Sequence, residues 1–295
     1  MRILVTNDDG VRAPGIAAIV RALAGWVAEG EGEHELIVVA PLENHSGASS
    51  AVGTVYERSA LDYERVPIEG AEDVPAYGLD ASPALSVIIG VLGGFGPRPD
   101  LIVSGINLGV NIGRSVLHSG TVGAVLTGGQ LGVRGLAVSM RVGPEPHPWE
   151  TATTTALAIL PALIDAPPAT MLNLNVPAVP LAELRGIRRG WISGAGIIKA
   201  AGHEQSPEPP PQTLRRATGG PFDGGADHGV VRLELGSAVP SMPNPSTGED
   251  ESDAGLVGAG FASLTPILGV RDDRSDAAAG VVEAALDGAR LILTP

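Results

Sequence analysis

Short apolar runs alternate along the chain with polar, glycine-bearing breaks. Arg2 to Thr6 favours a β-strand and is stopped at once by Asn7-Asp8-Asp9-Gly10. Pro14 suits the first turn of a helix, so Gly15 to Val27 reads as helical. Glu35 to Ala40 is a second strand, followed by a loop from Pro41 to Gly47. Residues 51 to 80 alternate as short strands do, and Ala84 to Leu92 fits a helix. Asp100 to Ser104 is a third buried strand, leading into a glycine-rich stretch from Gly105 to Gly123. A helix over Val122 to Leu131, a strand over Gly135 to Met140, a helix over Trp149 to Ile164 carrying Pro161, and a strand over Met171 to Asn175 complete this part. Strands that are apolar throughout and alternate with helices predict an α/β fold, with a mostly parallel sheet covered on both faces.

The pattern changes near residue 190. Gly202 to Gly225 is rich in Pro, Gly and charge, and Ser237 to Asp253 is again Pro-, Ser- and acid-rich. Between them Gly229 to Leu235 alternates as a strand does. The expected organisation is a core over 1–190, an extended arm or hairpin with mobile loops over 191–262, and a C-terminal strand and helix over 263–295. The strand falls at Ala262 to Pro266. The helix falls at Asp276 to Asp287, with Ser275 as its N-cap and Gly288 after its end.

Composition narrows the chemistry. Aromatic residues are only 3% of the 295, so Val, Leu, Ile and Ala must build the core. The net charge of −14 opposes general binding to nucleic-acid polymers or anionic membranes. With no cysteine there are no disulfides, thiolate metal sites or cysteine nucleophiles. No apolar run approaches a membrane span and no signal sequence stands at the N-terminus, so a cytoplasmic protein is expected.

Three polar loops directly follow buried strands: Asn7 to Gly10, Asn44-His45-Ser46-Gly47, and Ser104-Gly105-Ile106-Asn107 running on to Asn111. Ligands of doubly wound sheets bind outside the carboxyl ends of the strands, where neighbouring strands would bring these loops together. Two carboxylates, a hydroxyl and amide carbonyls suit a hard cation such as Mg2+, Mn2+ or Ca2+. Asp8-Asp9-Gly10 reads equally well as a plain turn, and the other two loops tip the balance toward a metal. Ser119-Gly120-Thr121 opens the Val122 helix, where free N–H groups and hydroxyls make an anion site of phosphate size. His45 and His118 lie in these loops and could shuttle a proton or contact phosphate, although loop histidines are more often polar filler.

Other chemistries fail on particular residues. There is no Gly-Lys dipeptide for a Walker A loop, no G-x-G-x-x-G after the first strand, no G-x-S-x-G elbow and no H-E-x-x-H. A D-x-D phosphatase would need Asp where Asn7 stands.

These residues together resemble the survival protein SurE family of 5′/3′-nucleotidases. The resemblance rests on Met1 to Gly10 with Ala13-Pro14-Gly15-Ile16, on Ala40-Pro41 with Asn44 to Gly47, and on Ser104 to Asn107 through Ser119 to Ala124. Asn175-Val176-Pro177 and Ser263 to Pro266 extend it. It implies a Rossmann-like three-layer core and a divalent-metal-dependent phosphomonoesterase. The substrates would be nucleoside monophosphates, with short polyphosphate as a further one. It implies Asp8, Asp9, Ser46 and Asn107 as ligands of one cation per subunit, with Asp8 and Asp9 catalytic. Asn111, Ser119, Gly120 and Thr121 would lie near the phosphate. It further implies a homodimer or homotetramer with an exchanged C-terminal extension. This sequence departs from the family at His118, where Tyr is common, and at Val125 to Gly128, where Glu-Gly is usual. Two other readings stand beside it: a nucleotide or anion sensor that uses the same loops without catalysis, and a different hydrolase such as a metal-dependent esterase on a parallel sheet.

Overall fold

The computed structural model describes residues 1–30, 34–53, 60–194, 198–199, 234–235, 251–270, 275, 279–282 and 285. In chain order its elements are β1 (Arg2–Thr6), α1 (Pro14–Glu29), β2 (Glu35–Pro41), β3 (Tyr63–Arg65), β4 (Ala76–Leu79), α2 (Pro83–Val91), β5 (Leu101–Leu108), α3 (Gly120–Gln130), β6 (Arg134–Met140), α4 (Trp149–Ile164), β7 (Met171–Val176), β8 (Ile187–Arg189), β9 (Ile198–Lys199), β10 (Glu234–Leu235), α5 (Asp253–Gly258) and β11 (Ala262–Ile267). The main sheet has nine strands in the order β3-β4-β2-β1-β5-β6-β7-β11-β8. From β4 to β7 every pairing is parallel. β3 closes one edge antiparallel to β4, while β11 runs antiparallel to β7 and parallel to β8 at the other.

The alternation of side chains along each strand explains why β1 and β2 are apolar on both faces. Ile3 and Val5 enter a core formed with α1 and α4, where Ile16, Ile19, Leu23, Ala156 and Leu160 are buried. Leu4, between them, enters a second core with Leu85, Val87 and Val91 of α2 and Ala124 of α3. The three layers thus have α1 and α4 on one face and α2 and α3 on the other. Burying both faces gives β1 and β2 their near-continuous apolar sequence. Pro161 is accommodated inside α4, near its C-terminal end.

The chain leaves β1 toward β2 and β4, then returns to β5 on the opposite side of β1. The order therefore reverses between β1 and β5, and a crevice opens there at the strands' carboxyl ends. β5 is longer than the sequence pattern suggests, since it passes Ser104 and runs through Gly105 to Leu108 with a register shift. A side chain at Gly105 would strike the Val138 carbonyl, its Cβ falling 2.2 Å from that oxygen, so the glycine here serves a close strand approach.

The expected strand over Gly229 to Leu235 is described only at Glu234–Leu235, which pairs antiparallel with Ile198–Lys199. Gly202 to Gly225, most of Ser237 to Asp253 and most of the expected terminal helix lie outside the described residues. Within the described residues, no helix is long and apolar enough to cross a membrane.

Candidate functional site

The three polar loops do converge at the β1–β5 crevice. Asn7, fully buried, donates from Nδ2 to the Gly10 carbonyl at 2.8 Å and so shapes the turn that carries Asp8 and Asp9. The His45 N–H donates to the Asp8 carbonyl at 2.7 Å, which ties the second loop to the first. Asn44 Oδ1 accepts from the Ser46 N–H at 2.7 Å, an Asx turn that leaves Ser46 exposed. Farther on, Ser49 Oγ donates to the Leu117 carbonyl at 2.7 Å and packs this loop onto the approach to α3. A Cβ at Gly123 would lie 2.2 Å from the Ser49 carbonyl oxygen, so the contact requires glycine.

Asp8 is the most constrained of the candidate ligands. Thr121 Oγ1 donates to Asp8 Oδ1 at 2.5 Å, and the backbone N–H groups of Thr121 and Gly120 also favour its ionised form. Burial nevertheless dominates and raises its carboxyl above the usual range. Asp9 is half-buried. Its carboxyl is pushed up to about 6, first by burial and second by the negative charge of Asp8, against a weak pull down from the Leu108 N–H at 3.4 Å. Among the described residues no basic group pairs with either acid. The ion pairs lie elsewhere, at Arg2–Glu35, Arg12–Glu64 and His147–Glu145.

This pair fits a hard divalent cation. Two adjacent carboxylates repel each other without any protein cation to offset them, and Asn7 Oδ1 beside them is buried without a hydrogen-bond partner. No cluster of three or more His, Asp or Glu occurs among the described residues. Among the described residues, neutral oxygens would therefore have to complete a cation site, and Ser46 and Asn107 are of the hydroxyl and amide types that would suit one. Asn107 Nδ2 donates to the Gly109 carbonyl at 2.6 Å, which commits its amide nitrogen to its own loop.

The proposed phosphate residues divide by what they touch. Ser119 is the N-cap of α3, its Oγ accepting from the Val122 N–H at 3.1 Å, so its own O–H remains free to donate. Thr121 is fully buried and its hydroxyl is spent on Asp8. Gly120 lies against the same carboxylate, where a Cβ would come 2.8 Å from Asp8 Cβ. The start of α3 thus holds Asp8. His118 is exposed and His45 half-buried.

Asn111 is fixed by residues to which the sequence pattern gave no site role. Its N–H donates to Asn175 Oδ1 at 2.7 Å and its Nδ2 to Ser139 Oγ at 2.7 Å. Its carbonyl accepts from Asn173 Nδ2 at 2.8 Å and Asn175 Nδ2 at 3.0 Å. A signal was present in Met171-Leu172-Asn173-Leu174-Asn175, where two amides recur on one face of an otherwise apolar strand.

Comparison with known proteins adds the family. The family model described as Survival protein SurE matches residues 3–195. The 5'/3'-nucleotidase SurE of Edwardsiella ictaluri is 34% identical over 269 residues, 90% of this chain and 89% of that protein. The 5'-nucleotidase SurE of Ectopseudomonas mendocina is 40% identical over 190 residues, 64% of this chain and 70% of the relative. The crystal structure of the SurE protein from Aquifex aeolicus superposes with a TM-score of 0.65 at 24% identity. It covers 97% of this chain and 100% of its own, and supports the fold.

Proposed function

The chain belongs to the survival protein SurE family, and from that premise we infer that it is a nucleotidase, a divalent-metal-dependent phosphomonoesterase. It hydrolyses nucleoside 5′- and 3′-monophosphates to nucleoside and phosphate. The relatives' names support the substrate class. The observation that carries the mechanism is the Asp8–Asp9 pair, one buried and one half-buried, with no basic partner among the described residues and placed where the strand order reverses.

Asp8, Asp9, Ser46 and Asn107 would hold one cation, Mg2+ or Mn2+. Bound there, it would supply Lewis-acid polarisation of a phosphoryl oxygen. The chain's own residues do the rest. Thr121 and the N–H groups of α3 keep Asp8 in a single orientation. Asp9 is the more accessible of the two acids, so it is the one that also faces solvent and the substrate side of the crevice. The Ser119 hydroxyl, with its proton free, donates to a phosphoryl oxygen as charge develops there. Asn111 is held too firmly to drift with the substrate and serves as a fixed polar wall.

Phosphate release from 5′-AMP and 3′-AMP tests this reading. Release should stop with EDTA and return with Mg2+ or Mn2+. A folded protein that releases no phosphate with any divalent metal would refute it.

A further inference from the structure

A buried carboxylate outside the cation site has no part in the account above. Asp253 is fully buried. Its Oδ2 accepts from the Gly113 N–H at 2.8 Å, and its Oδ1 accepts from the Ser193 N–H at 3.0 Å and the Ala254 N–H at 2.8 Å. Among the described residues no Arg, Lys or His pairs with it. A carboxyl group removed from water needs such bonds. The bond to Ala254 is what any acid at a helix start makes. The bond to Gly113 joins residues 140 apart in the chain and has no such local explanation.

Gly113 opens a 3-10 turn, Gly113–His118, that delivers the chain to Ser119 at the head of α3. Two residues earlier lies Asn111, clamped by β6 and β7. The loop between β5 and α3 is therefore pinned twice, by neutral amides at Asn111 and by a carboxylate at Gly113. The second pin comes from beyond the residues matched by the family model. The Asp253 N–H also donates to the Trp191 carbonyl at 2.8 Å, so the same residue anchors the segment leading out of the core.

We propose that Asp253 is a positioning residue for substrate, fixing through Gly113 the loop that carries Asn111 to Ser119 and so setting how the phosphate and nucleoside are held. It touches none of Asp8, Asp9, Ser46 or Asn107, so cation binding does not depend on it. The inference rests on the nucleotidase reading.

The test uses the full chain with Asp253→Asn, which keeps one acceptor oxygen, and Asp253→Ala, which keeps none. Asp253→Asn should raise KM for 5′-AMP about tenfold while changing kcat less than about threefold, with a larger KM effect in Asp253→Ala. Mn2+ affinity by calorimetry should stay within about twofold of wild type. Affinity for inorganic phosphate, measured with Mn2+ present, should fall in step with KM. Hydrogen exchange should quicken at residues 111–119 and stay unchanged at residues 3–8. An unchanged KM and phosphate affinity would overturn the proposal. So would a parallel loss of Mn2+ affinity, or loss of the fold in Asp253→Asn, since the carboxylate would then support the whole molecule and not one loop. If wild-type protein releases no phosphate from 5′-AMP, the nucleotidase reading fails separately, and phosphate affinity and hydrogen exchange still decide the role of Asp253.

Discussion

Asp8 is held by Thr121 and the start of α3 and Asp9 by the Leu108 N–H, whereas Asn111 and Gly113 are held from Ser139, Asn173, Asn175 and Asp253. The first region gathers like charges and leaves them uncompensated. The second is built mostly from neutral amides, Asn175 bonded through both its Oδ1 and its Nδ2 and Asn173 through its Nδ2 to the loop they fix. The difference separates two tasks. One region stores unfavourable electrostatics that a bound cation would relieve, and the other stores geometry. A substitution in the first should therefore act on cation binding and turnover, and one in the second on substrate affinity and stability.

The largest effect tests the first region. Asp8→Asn or Asp9→Asn should lower phosphate release by on the order of a thousandfold, about 4 kcal/mol of transition-state stabilisation, while circular dichroism stays native. Near-normal rates in both variants would remove the site from these residues. Thr121→Val keeps the shape but deletes the hydrogen bond to Asp8. Roughly 10–100-fold of Mn2+ affinity or activity should go with it.

A smaller effect tests the second region. Asn175→Ala leaves the Asn111 N–H without its acceptor. Unfolding in urea should show a loss of about 1–3 kcal/mol. KM should rise while Mn2+ affinity stays put, and a fall in Mn2+ affinity would mean that the two regions are not separate.

The smallest effect is on pH dependence. The Asp9 carboxyl titrates at about 6 in the folded, metal-free protein, against an ordinary value of 3.8. The folded state thus binds this proton more tightly than the unfolded state. Its contribution to stability is complete below the ordinary value and is lost as pH rises through 6. Thermal unfolding with EDTA present should show wild type losing stability over this window relative to Asp9→Asn. Restored Mg2+ should recover it most at the upper end. A wild-type profile parallel to that of Asp9→Asn would contradict the assignment.

The apolar half of the fold was legible because β1, β2 and β6 are buried on both faces and are mostly apolar, with β7 interrupted only on the face that carries Asn173 and Asn175. The site loops were legible for the reason that strand ends in such sheets converge. The end of β5 was hidden because glycine reads as a break, and nothing in the sequence shows that Gly105 lies against the Val138 carbonyl. The short strands β3 and β8 carry little periodicity, and α5 is six residues with two glycines behind a Ser252 cap. The roles of Ser119 and Thr121 diverged from a shared phosphate role because one hydroxyl caps its helix and the other reaches Asp8. Only packing decides that. Asp253 sits in an acidic, proline-rich neighbourhood that looks like solvated loop, and its partners are at Gly113 and Ser193. No local pattern could have paired them.

The central claim is that the first region exists to bind one divalent cation. Calorimetric titration of the metal-free chain with Mn2+ at neutral pH, beside Asp8→Asn, tests it most directly. The account predicts one tightly bound ion per wild-type chain and loss of that binding in the variant. Wild-type stoichiometry and affinity in Asp8→Asn would contradict it.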